Sequence, residues 1–470
     1  MNQITNDRYR QNYHIMPPKG WMNDPNGLCF FKGYYHVFFQ YHPYSAEWGP
    51  MHWGHMRSMD LVHWQECPIA LTPGDNEDKD GCFSGSAVVK DGRLYLIYTG
   101  HHDKENTDQK QYWQNQNLAY SEDGIHFKKY EKNPIISHPP EDNDIDFRDP
   151  KVWLENGKWF MVLGSRDQSG LGRVLLYASH DLLNWDYFGV ISQSNHPEKE
   201  GYMWECPDFF QLDGQYILLT SPQGIVSHHD RCKNIFQSGY FIGDYKDGVY
   251  TRGCFREMDA GHDFYAAQTI ETDDGRRILL AWMAMWENKM PEQADGWAGT
   301  MTLPRELKRV GDKLYAYPIQ ELKALRSKLL LSKNESTNTI NFCSKAHQLE
   351  IDAKMDWRSH STIALVMNDH NGSALISVTF NADDGKVVLH RVGPDAERQT
   401  VIQQSDDLTM KVYVDTSSFE LFINHGEATF SERFYAEGAL SFKISAQERV
   451  WCTMHVYELG NHRNNAMIDK

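Results

Sequence analysis

The chain has 470 residues, with 47 Lys plus Arg against 64 Asp plus Glu, a formal net charge of −17. Hydrophobic residues make up 40% and charged residues 24%, a globular balance at a length that suggests two or three domains. The acidic surplus argues against a surface built to grip nucleic acid or an anionic membrane, and no run of about 18 apolar residues marks a membrane span.

The opening stretch, MNQITNDRYRQNYHIMPPKG, has no apolar core of the kind that directs export, so a cytoplasmic location is expected. From there a turn glycine followed by a short aromatic and aliphatic run recurs five times: Gly33-YYHVFFQ, Gly92-RLYLIYTG, Gly157-KWFMVLGS, Gly214-QYILLTS and Gly275-RRILLAW. Successive glycines stand 59, 65, 57 and 61 residues apart. Each run has the composition of a buried strand, and the polar turn before it reads as a hairpin corner. A second repeat follows three of these strands: Ser58-Met-Asp60 with Trp64, Ser121-Glu-Asp123 with Phe127, and Ser179-His-Asp181 with Trp185. Its Ser and Asp can close a turn through their side chains, so a structural turn is expected rather than a binding site.

Five units of about 60 residues, each with room for four short strands, predict an all-β chain that opens with a five-bladed β-propeller. The propeller is assigned to residues 1–310. A helical spacing at Tyr317–Arg326 suggests a linker, assigned to 311–336. From 337 to 470 short alternating strands such as STIALVM, SALISVTF and LTMKVYVD predict a C-terminal β-sandwich. The eight cysteines, at 29, 67, 82, 206, 232, 254, 343 and 452, form no CxxC pair and read as reduced thiols. His52-Trp-Gly-His55 lacks further ligands at a telling spacing, so no metal and no cofactor is expected.

Counting back eight or nine residues from the turn glycines reaches the first strand of each unit. There stand Asp24 in Trp21-Met-Asn-Asp-Pro-Asn-Gly27, Phe83 in Phe83-Ser-Gly-Ser86, Asp149 in Phe147-Arg-Asp-Pro150, Glu205 in Trp204-Glu-Cys-Pro-Asp208, and Ala266 next to Tyr265. First strands line a propeller's channel, so three acids from three blades should meet on one axis. Asp24 and Asp149 each precede a proline, which favours an extended backbone. Paired carboxyls are the usual equipment of glycosidic cleavage: one attacks or activates water, the other protonates the leaving oxygen, and crowding raises at least one of their pKa values. Asn23, Gln40, Ser84 and Arg148 offer polar contacts to sugar hydroxyls. Trp48, Phe83 and Trp297 offer flat apolar faces, and Tyr265 lies at the same level. A non-catalytic sugar-binding propeller would not need the three acids, and a sialidase would need an arginine cluster.

These blocks, with Trp48-Gly-Pro-Met-His-Trp-Gly-His55, Gly261-His-Asp-Phe-Tyr-Ala266, Gly296-Trp-Ala-Gly299 and Asp415-Thr-Ser-Ser-Phe-Glu-Leu-Phe-Ile-Asn424, closely resemble the signatures of glycoside hydrolase family 32 over nearly the whole chain. The resemblance implies a propeller followed by a sandwich and a retaining β-fructofuranosidase acting on a small sugar, sucrose or sucrose 6-phosphate. Longer β-fructans are the alternative. Neither nucleic acid nor membrane is implied as a partner, and oligomeric state is left open. It implies Asp24 as nucleophile at C2 of the fructosyl unit, Glu205 as acid/base, and Asp149 as the group that binds fructose hydroxyls in the transition state. For a phosphate on the glucose, His101, His102, Arg231 and Lys233 are candidate partners.

Overall fold

A computed structural model describes residues 3–104, 111–228, 230–246, 248–357, 362–393 and 395–460, so the expected sandwich limit at 470 lies outside the described residues. Five antiparallel sheets follow one another from Gly20 to Pro318, and each opens with its innermost strand: Gly20–Phe31, Gly81–Lys90, Asn143–Glu155, Met203–Leu212 and Tyr265–Glu271. They are the five blades of a β-propeller. Four of the innermost strands turn into the next strand through Lys32-Gly33, Asp91-Gly92, Asn156-Gly157 and Asp213-Gly214, with positive φ at both residues. That is the turn whose twist matches a right-handed hairpin, and it explains why a glycine recurs at each corner. The fifth corner is a longer loop in which Gly275 donates to the Thr272 carbonyl at 2.8 Å.

The ring closes through Trp297–Ala298, which pairs in parallel with Gly20 and Trp21 of the first blade. Blades are also tied by side chains. Asp208 accepts from the backbone N–H of Thr269 at 2.7 Å and pairs with Lys151 at 3.0 Å, joining blades three, four and five. The repeated Ser-x-Asp segments are structural turns. Asp60, Asp123 and Asp181 each accept two backbone N–H groups of their own loop, as from His63, His126 and Asn184 at 2.8 Å.

The domain boundaries differ from those expected. Lys313–Pro318 pairs with Arg305–Val310 and completes the fifth blade, so the propeller runs past 310. The expected helical linker is a single 3-10 turn, Gln320–Leu325, and Arg326–Ser344 is already a strand. That strand pairs along its length with Leu440–Leu459, so the helical spacing read at 317–326 is realised only over Gln320–Leu325. The first half of Leu440–Leu459 also pairs with Ile363–Asn368 and the second half with Leu349–Asp356, with a register shift near Thr337 and Val450. The long pair thus bends from one layer of the β-sandwich to the other. Strands alternate strictly, with Leu349, Ile351, Ala353 and Met355 facing the sandwich core.

Propeller and sandwich meet across a hydrophobic cluster that joins Tyr13, Ile15, Leu303 and Leu322 to Tyr413, Phe422 and Leu459. Beside it lies a fully buried charge network. Arg305 pairs with Asp259 at 2.8 Å and with Glu420 of the sandwich at 2.6 Å, and His14 bridges Glu420 and Asp415 at 2.9 Å each. Burial opposes a charge on His14, but the hydrogen bonds it donates to the two carboxylates raise its pKa above the usual imidazole value. Removing one member of such a network leaves the others charged and uncompensated. Arg305→Met is expected to lower unfolding stability by about 3–5 kcal/mol, read from urea denaturation, because Asp259 and Glu420 then lose the buried cation they share.

Candidate active site

At one level, the innermost strand of every blade carries one residue too many. Pairing to the next strand slips between Met22 and Pro25, Phe83 and Gly85, Arg148 and Lys151, Glu205 and Asp208, and Tyr265 and Gln268. A bulge bends its strand and re-aims the side chains around it. Here the bulges hold Asn23 and Asp24, Ser84, Asp149, Cys206 and Ala266. Asp149, Cys206 and Ala266 take positive φ values of 66°, 49° and 56°. The proline after Asp149 therefore does not impose the expected extended backbone. The bulge sets the conformation instead, and the Asp149 N–H donates to the Thr99 hydroxyl at 3.0 Å.

The bulges open onto a cavity of about 540 Å³ at the mouth of the channel, and Asp24, Asp149 and Glu205 line it together. Asp24 accepts from the Ser84 hydroxyl at 2.7 Å, the Asn23 amide at 3.1 Å and the Cys206 thiol at 3.4 Å. Asp149 accepts from the backbone N–H of Cys206 at 2.9 Å. Glu205 accepts from Arg148 Nε at 2.9 Å and Nη2 at 2.8 Å on one oxygen, and from the Tyr265 hydroxyl at 2.5 Å on the other. Two acids are thus held through neutral donors, and the third through a cation and a phenol.

Burial, and then the Glu205 carboxylate, push Asp24 above the ordinary carboxylate range, while its three hydrogen bonds pull it back. The same two causes push Asp149 up to about 7, against the pull of Arg148. Burial and both aspartates hold the Cys206 thiol far above its usual value, so it stays protonated and donates. Three carboxyls around a single guanidinium favour keeping a proton within the trio near neutral pH.

Aromatic walls flank the acids. Phe83 stacks on His101 with centroids 4.1 Å apart, and half-exposed Trp48 meets Phe83 edge-on. Trp286 lies on Trp21, whose indole N–H fixes Asn23 at 2.8 Å. Among the described residues, no group of three or more metal-ligating side chains is present. His55 shares a hydrogen bond with His36, and His52 with the Pro50 carbonyl.

Residues 14–318 match the glycosyl hydrolases family 32 N-terminal domain, and residues 321–458 match the family's C-terminal domain. The chain belongs to glycosyl hydrolase family 32. It is a glycoside hydrolase, built as a five-bladed propeller followed by a β-sandwich. A sucrose-6-phosphate hydrolase of Escherichia coli is 43% identical to it, over 93% of this chain and 91% of its own length. A raffinose invertase of Escherichia coli is 43% identical over 90% of this chain and 89% of its own. A Bombyx mori family 32 β-fructofuranosidase, solved as a mutant in complex with sucrose, superposes with a TM-score of 0.88 at 40% identity, covering 99% of this chain and 96% of its own.

In this family 32 chain, Asn23, Gln40, Trp48, Phe83, Ser84 and Arg148 line the same cavity as the three acids. Tyr265 does not line it. Its ring is buried beneath, and its hydroxyl reaches Glu205 from below. Trp297 is a correction. It is 0% exposed in the ring-closing bridge, with Arg10 and Arg433 over its ring, and it presents no face to a sugar. Of the four candidate phosphate partners, only His101 reaches the cavity, and burial depresses its pKa to about 4, so it is neutral there. His102 stacks on Trp113, Arg231 lines a separate cleft against the sandwich, and Lys233 pairs with Glu397. Cavity residues not foreseen include Lys104, Tyr112, Gln114, Gln223, Phe236 and Trp286. Gln223 ends the strand paired with Glu205's, a signal the strand register carried, whereas Phe236 comes from a loop with no repeat to mark it. Trp297→Ala is expected to lower stability by about 3–5 kcal/mol in chemical denaturation while leaving KM for sugar within twofold in the folded fraction.

Proposed function

We propose that this chain is a retaining β-fructofuranosidase that hydrolyses sucrose or sucrose 6-phosphate in the cytoplasm, releasing fructose and glucose or glucose 6-phosphate. The observation that carries the reading is the meeting of three carboxyls from three blades in one cavity, each held by a different set of donors. Asp24 is the nucleophile. Its carboxylate attacks C2 of the fructosyl unit as Glu205 gives its proton to the departing glucosyl oxygen. The products of that step are a fructosyl-aspartate ester and free glucose, or its 6-phosphate. Water then enters, Glu205 takes a proton from it, and hydroxide adds to C2 as the ester bond breaks. Two displacements restore the β configuration.

The donors on Asp24 fit this task. Ser84 and Cys206 both reach Oδ2, and Asn23 holds Oδ1, so the three donors favour the carboxylate form against burial and aim it within the site. Asp149 binds fructose hydroxyls and offsets the positive charge that develops on the ring. Asn23 and Gln40 supply polar contacts to the fructose, and Trp48 and Phe83 wall the glucose side. Cytoplasmic placement agrees with eight free cysteines, five of them buried.

Asp24→Asn is expected to lower kcat on sucrose by about 10⁴-fold or more, and Glu205→Gln by about 10²–10⁴-fold, with the fold retained by circular dichroism. Proton NMR of the first-formed fructose should show the β-furanose anomer. Full activity in Asp24→Asn, or an inverted first product, sinks the mechanism. Sucrose and sucrose 6-phosphate compared side by side at one low salt concentration assign the physiological leaving group by their kcat/KM ratio.

A further inference from the structure

Glu205 has a conflict built into its surroundings. A general acid must hold its proton until the leaving oxygen takes it, yet Arg148 donates two hydrogen bonds to the same Glu205 oxygen and so favours the carboxylate. The far end of the Arg148 guanidinium explains how the site tolerates this. Arg148 Nη1 is in close contact with a carboxylate oxygen of Asp146, two residues back on the same strand. Asp146 is 3% exposed and does not line the cavity, so it cannot touch a sugar. It accepts from the Tyr112 hydroxyl at 2.5 Å and pairs with Arg166 at 3.0 Å. Arg166 in turn pairs with Asp144 at 2.8 Å. Charge therefore alternates along a row whose two inner members are buried: Arg166, Asp146, Arg148, Glu205.

We propose that Asp146 is a positioning residue for catalysis: by sharing the Arg148 guanidinium it weakens the cation's grip on the Glu205 carboxyl. This rests on the reading of Glu205 as the acid/base. The groups facing Glu205 from all sides are Arg148, the Tyr265 hydroxyl, Asp24, Asp149, the Cys206 thiol, and more distantly Tyr112 and Tyr202. Facing Asp146 are Arg148 and Arg166, which hold it ionised despite burial, along with Tyr112 and Tyr202. Without Asp146, the Arg148 guanidinium is no longer shared across the row and grips Glu205 more tightly. Without Arg166, Asp146 is left wholly to Arg148 and the grip on Glu205 loosens further.

The two variants therefore shift the acid in opposite directions. The alkaline limb of kcat/KM against pH reports the acid of the free enzyme. In Asp146→Asn that limb should move down by about one pH unit, with the loss of activity concentrated above it and much smaller on the acid side. In Arg166→Gln the limb should move up. A limb unmoved in both variants, or a loss uniform across pH, would overturn the proposal and leave Asp146 a merely structural residue. If Asp146→Asn does not fold, the upward shift in Arg166→Gln decides alone, and an unmoved limb there overturns it. Glu205→Gln separates the two levels of the argument. If it stays active, the acid/base reading fails. If it is inactive while the limbs stay fixed, only the role of Asp146 fails.

Discussion

One extra residue in each innermost strand, with no partner opposite it, turns the channel face of this propeller into a site. An unbroken strand sends alternate side chains to opposite faces of its blade, and neither face is the axis. The bulge breaks the alternation at one level in all five blades, and in the first four blades side chains at that level, Asp24, Ser84, Asp149 and Glu205, line a common cavity. Its backbone cost is visible as positive φ at Asp149, Cys206 and Ala266. The same bulge presents the Cys206 N–H to Asp149 and its thiol to Asp24, so the strained residue of one blade holds the acids of two others.

Placing three carboxyls in one buried cavity is unfavourable unless each is compensated, and the compensation differs from acid to acid. Neutral donors stabilise Asp24 and Asp149 without fixing a full charge next to them. Glu205 receives the one guanidinium in the trio, and that guanidinium is shared with an acid outside the cavity. The difference in partners, more than the difference in burial, separates the chemical tasks of three otherwise similar side chains.

The sandwich supports this arrangement from behind. Arg305 of the fifth blade and His14, which precedes the first, are both held by Glu420 of the sandwich. The two blades that must meet to close the ring are therefore anchored to the same carboxylate. Buried ion networks add little net stability compared with apolar packing, but they tolerate almost no displacement, which suits a closure that must hold opposite walls of a cavity in register.

Five glycine corners, the alternation in the sandwich strands and the phase of Asp24, Asp149 and Glu205 were legible from residue order, because turns, strand period and repeat length are local properties. Repetition also showed the Ser-x-Asp segments to be turns. What local order could not carry was direction and depth. Trp297 and Tyr265 stand beside motif residues but are buried by ring closure and by the blade beneath, and only the packed ring decides which aromatic faces sugar. Helical spacing at 317–326 survives only as the 3-10 helix Gln320–Leu325, because Tyr317 and Pro318 pair with the fifth blade and Arg326 opens a strand paired with Leu440–Leu459, more than a hundred residues away. Phe236 and Trp286 come to the cavity from loops whose course depends on neighbouring blades. The sequence by itself determined a five-fold propeller with three acids at one level, because those follow from repeat and period. The tertiary structure alone decided which groups compensate each acid, because hydrogen-bond partners from different blades become neighbours only when the ring is closed.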